Sequence, residues 1–114
     1  MKRINDLIKE SYQIEISKGW QAPGETRPIP ELIALIHSEL SEALEEYRNG
    51  HNPREIYYDP SKPDKPEGVP IEIADVMIRV FGLCGQYGID LEEAIEIKTN
   101  YNKTRPVRHG GKLI

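Results

Sequence analysis

The chain is poor in cysteine, and that scarcity sets the first limits. Cys84 is the only one, so no internal disulfide can form and a reducing, cytoplasmic compartment is expected. No run approaches the roughly 18 apolar residues of a membrane span. No apolar stretch follows Met1 as in a signal peptide, so no membrane partner is expected. Trp20 is the only tryptophan. Acidic side chains are absent after Glu96, where Lys98, Lys103, Arg105, Arg108 and Lys112 are all basic. The formal charge of −4 argues against a stable nucleic-acid partner.

What is present fits one globular domain. At 114 residues, 30% charged and 38% hydrophobic, the chain can bury a real core yet is small enough to gain from oligomerisation. Residues 1–19 read as an N-terminal amphipathic helix, with Ile4, Leu7, Ile8 and Tyr12 on one side and Gly19 as its stop. The segment to Pro30 holds three prolines and reads as a loop. Its Trp20 either anchors that loop on the bundle or stacks on a substrate base.

The second helix, Pro30 to Gly50, turns Leu32, Ile33, Ile36, Leu40, Ala43, Leu44 and Tyr47 to one arc of roughly 120°. Glu39, Glu42 and Glu46 gather along one border of that stripe, where like charges cost a few tenths of a kcal/mol each. His37 lies away from the acidic arc and is expected in solvent. Residues 50–69 carry four prolines and no helical period, and are expected to form a flexible loop near the site. The third helix, about Pro70 to Gln86, is apolar nearly all round and is expected to be buried. Its charged residues Glu72, Asp75 and Arg79 share about 60° of the circumference. Cys84, on the same helix, reads as a small core residue. Asp90 is the expected N-cap of a fourth helix ending near Asn102 or Lys103. There Lys98 continues the stripe of Leu91, Ala94 and Ile95, which turns it toward the interior or a cleft. It either snorkels out, pairs with a core carboxylate, or meets a phosphate. Residues 104–114 form an irregular basic tail. Four helices and no convincing strand argue an all-α, four-helix bundle-like fold.

Two carboxylate pairs, Glu39-x-x-Glu42 and Glu72-x-x-Asp75, carry the chemistry. Carboxylates one turn apart can converge on a hard divalent cation, with water filling its other positions. Such a site stays open to phosphate oxygens. Glutamates at this spacing are also common on solvated faces, and Arg79 is an alternative partner for Asp75. No histidine follows a core glutamate by three residues, as di-iron bundles require, which speaks against iron.

Glu39-Leu40-Ser41-Glu42 followed by Glu72-Ile73-Ala74-Asp75 resembles the Glu-x-x-Glu and Glu-x-x-Asp signature of the MazG-like, all-α nucleoside triphosphate pyrophosphohydrolases. Lys98-x-x-x-Asn102 is similar to that family's lysine and asparagine on the last helix, and the ending from Asn102 to Lys112 to the tail of small, phage-like, single-domain members. The resemblance spans roughly Trp20 to Lys112. It implies the MazG fold, Mg²⁺ (or Mn²⁺) on Glu39, Glu42, Glu72 and Asp75, and cleavage of an NTP or dNTP to the monophosphate and pyrophosphate. It also implies a homodimer or a dimer of dimers. Glu39 and Glu42 would serve catalysis, with Glu42 or the neighbouring Glu46 orienting the water. Lys98, Asn102 and Arg105 would meet phosphate or sugar, and Trp20 the base. The 29 residues between Glu42 and Glu72 sit at the long end of the family's spacing, so the proline-rich loop transfers least. The alternatives are a non-catalytic nucleotide- or metal-binding regulator, and an oligomerisation module with a basic tail.

Overall fold

The computed structural model describes residues 2–106 of the 114. The tail expected to be basic, with Arg108, His109 and Lys112, lies largely outside the described residues. Four helices and one small sheet follow in the order α1 (Ile4–Ser17), α2 (Ile29–Arg48), β1 (Tyr57–Asp59), β2 (Lys62–Glu67), α3 (Val69–Tyr87) and α4 (Leu91–Thr104).

The helix ends follow local chemistry. α1 starts where the Arg3 N–H donates to the Asp6 carboxylate at 3.0 Å, and α2 and α3 each carry a proline in the first turn. Asp90 caps α4 as expected, its carboxylate accepting from the Glu93 N–H at 3.1 Å. Gly88 ends α3 in the left-handed region at φ +64°.

α3 is the middle of the fold and packs against both α1 and α2. Ile8, Leu32, Ala43 and Cys84 are the buried apolar side chains. The expected burial of α3 holds on one side only, since Ile73, Met77 and Ile78 face out of the chain. Four of the seven residues of the α2 stripe behave the same way, with Ile33, Leu40, Leu44 and Tyr47 exposed. α4 does not complete a bundle. It meets the first turn of α1 through Asn5, whose backbone N–H donates to Glu92 Oε1 at 3.0 Å and whose Nδ2 donates to Asp90 Oδ1 at 2.9 Å. No side chain of α4 is buried.

The expected structureless loop is instead a hairpin. β1 and β2 pair antiparallel, Tyr57 opposite Glu67 and Tyr58 opposite Pro66. At its tip the Ser61 N–H and hydroxyl both donate to Asp59 Oδ1 at 2.8 Å, an Asx turn. A two-stranded ribbon has only edge strands, where proline is tolerated, so the prolines that hid the strand do not forbid it. Gly68, at φ +127°, returns the chain to α3 past the Glu55 carbonyl, where any Cβ would collide.

Candidate metal centre

α2 and α3 lie side by side, and their facing turns bring Glu39, Glu72 and Asp75 together. One carboxylate oxygen from each lies within 4.8 Å of the others. All three are partly buried. Glu72 is pushed above the ordinary carboxylate range by burial first, then by Asp75, Glu42, Glu39 and Glu46. Asp75 rises through burial and Glu39, against the opposing pull of Arg79. Each shift records burial first and the crowding of negative charge second. The cation paired with the cluster is Arg79, whose Nε donates to Glu39 Oε1 at 3.2 Å, while Lys65 also acts on Asp75. Arg79 thus pairs across to α2, and not with Asp75 one turn before it.

Of the four expected ligands, three converge and Glu42 stands just outside. It is exposed, yet close enough to raise both Glu72 and Asp75. Glu46 is engaged elsewhere. The Tyr57 hydroxyl donates to its two oxygens at 2.8 and 3.0 Å. This hydrogen bond pushes the phenol up to about 12. His51 stacks on the Tyr57 ring at 4.3 Å, with Nε2 3.7 Å from Glu46 and Nδ1 2.8 Å from Glu55. Glu46 therefore ties the hairpin to α2 and does not point freely at a water. His37 is exposed, as expected.

A cavity of about 730 Å³ opens beside the carboxylates, lined by Glu39, Asp75 and Arg79 together with Glu15, Trp20 and Gln86. The segment after α1 lines it too. The Arg27 N–H donates to Gln86 Oε1 at 3.0 Å, Arg27 Nη2 donates to the Trp20 carbonyl at 2.8 Å, and the Tyr87 hydroxyl donates to the Arg27 carbonyl at 2.6 Å. Trp20 stands at the wall with 62% of its surface exposed. Lys98, Asn102 and Arg105 are not brought here. All three are exposed, and Lys98 lies over the Tyr101 ring at 4.9 Å, so the expected inward turn of Lys98 is not made within one chain.

Glu15 escaped the sequence reading, although the period marked it. It stands seven residues after Ile8, where the α1 stripe calls for an apolar side chain. Its Oε2 is buried without a hydrogen-bond partner.

The donor set suits a hard divalent cation, because all three groups supply oxygen and none nitrogen or sulfur. Comparison with family models, curated proteins and solved structures returns no match for this chain. Among the described residues no helix is long and apolar enough to cross a membrane.

Proposed function

We propose that this chain is a Mg²⁺-dependent nucleotide pyrophosphohydrolase of the MazG-like type, acting on an NTP or dNTP. The observation that carries the reading is the convergence of Glu39, Glu72 and Asp75, with Glu39 and Asp75 lining a cavity that Trp20 also lines. Glu39, Glu72 and Asp75 would hold the ion, with Glu42 the nearest further carboxylate. Bound there, Mg²⁺ or Mn²⁺ supplies Lewis acidity to phosphate oxygens.

The chain's own part is positioning and proton transfer. Water adds to the α-phosphorus, the bond to the bridging oxygen breaks, and pyrophosphate leaves. Glu42, exposed and next to the cluster, is suited to take the proton that the water gives up. Arg79 holds Glu39 in place and offsets part of the crowded charge until the ion arrives. Lys98, Asn102 and Arg105 are left for phosphate or sugar only if another copy of the chain presents them.

A Mg²⁺-dependent screen of canonical and modified NTPs and dNTPs, with products identified, tests the reading. Nucleoside monophosphate and pyrophosphate in equal amounts are expected. Release of orthophosphate alone would overturn it.

A further inference from the structure

We infer that the end of the cavity lined by Glu15 and Trp20 holds the nucleobase, and that Glu15 selects bases carrying an exocyclic amino group. This rests on the nucleotide reading above and adds to it the part of the substrate that is recognised. Glu39, Asp75, Glu15 and Trp20 line one cavity. Gly82, which faces Glu15, follows Asp75 by seven residues on α3, about 10 Å along the helix. A nucleotide with its phosphates at Glu39 and Asp75 therefore reaches Glu15 with its base. The exposed indole offers a flat face for stacking, which is tolerant of base identity. Discrimination must come from a polar group.

Glu15 carries a buried oxygen left without a partner. Gln86 Oε1 already accepts from the Arg27 N–H, Arg27 Nη2 donates to the Trp20 carbonyl, and Gln21 Nε2 donates to the Ala22 and Glu25 carbonyls. Glu15 Oε2 is the buried side-chain oxygen that lacks a hydrogen bond among the described residues. An unpaired buried carboxylate oxygen is costly, so a ligand that donates to it is favoured. The fit around the carboxylate is close. Gly82 faces it from α3, and a Cβ there would strike Glu15 Oε1.

The carboxylate form of Glu15 asks for a donating partner. Burial raises its affinity for a proton, while Arg27 and Arg79 oppose that. The carboxylate accepts from an amino N–H. Uracil, thymine and hypoxanthine place carbonyl oxygens where the amino group of cytosine or adenine would be. These repel a carboxylate oxygen aimed at that position.

The test measures kcat/KM for dCTP against dUTP and for dATP against dITP, alongside calorimetric binding of dCMP and dUMP with Mg²⁺ present. The wild type should favour the amino-bearing member by about 10- to 150-fold, the range of one hydrogen bond to a charged group. Glu15→Gln can donate to a carbonyl and should bring both ratios near one with its melting curve intact. Gly82→Ala keeps the carboxylate but displaces it, and should lower the ratios in the same direction. Turnover with ratios near one, or ratios that Glu15→Gln leaves unchanged, would overturn the role of Glu15 and leave the pyrophosphohydrolase reading standing. Absence of turnover with a dCMP preference that Glu15→Gln abolishes would support Glu15 and remove the hydrolase. Absence of both turnover and preference would overturn both.

Discussion

At the scale of single residues, the acidic cluster puts function ahead of stability. Glu72 and Asp75 bind protons more tightly in the folded chain than free carboxylates do, burial being the leading cause. Between the unfolded and folded pKa the native state therefore carries more protons, and metal-free stability falls as pH rises through that interval. Above the folded pKa the penalty is complete and constant. Glu72→Gln removes one of the mutually repelling charges. Its metal-free melting temperature should exceed the wild type's at pH 7, and the two should converge as pH drops below the ordinary value of 4.5. Mg²⁺ should raise the melting temperature of the wild type by linkage and have little effect on the variant, whose turnover should be lost. A variant with unchanged Mg²⁺-dependent activity would take Glu72 out of the site.

At the scale of elements, periodicity revealed the helices and misjudged what lies between and outside them. The acidic pairs were legible because i, i+3 spacing fixes two carboxylates on one helix face whatever surrounds them. Glu15 was not, because a lone charge on a stripe does not say what it faces. The hairpin was hidden by Pro63 and Pro66 in a strand of six residues, Lys62–Glu67, with no alternating apolar pattern. Its anchor is a side chain, the Tyr57 hydroxyl on Glu46, supported by the stacked His51. Tyr57→Phe keeps the stack and deletes the hydrogen bond. Limited proteolysis should then cut between Tyr57 and Glu67 faster than in the wild type, with helical content unchanged by circular dichroism. Equal cutting rates would mean that the ribbon holds itself.

At the scale of the whole molecule, the single chain is open. Its radius of gyration is 16.9 Å, where a compact chain of this length has about 13 Å. It exposes 8771 Å², where a folded protein of 13.0 kDa exposes about 6300 Å². Apolar side chains form part of that surface, with Leu44 59% and Ile97 62% exposed, and no side chain of α4 is buried. Covering these faces with a second copy is the simplest completion, and a two-fold dimer is expected by sedimentation at micromolar concentration. In such a dimer α4 is free to serve the other copy, because Lys98 and Asn102 do not line the cavity of their own chain. If α4 serves the other copy, Lys98→Ala should lower kcat/KM by about 10- to 150-fold and leave Mg²⁺ binding intact, since an ammonium is no ligand. Co-expressing that variant with Glu72→Ala decides which chain Lys98 serves. Each mixed dimer would then assemble one intact site, from the carboxylates of one chain and the lysine of the other. Random pairing in equal amounts should restore about a quarter of wild-type activity. If Lys98 acts in its own chain, or not at all, mixing restores nothing beyond the average of the two variants.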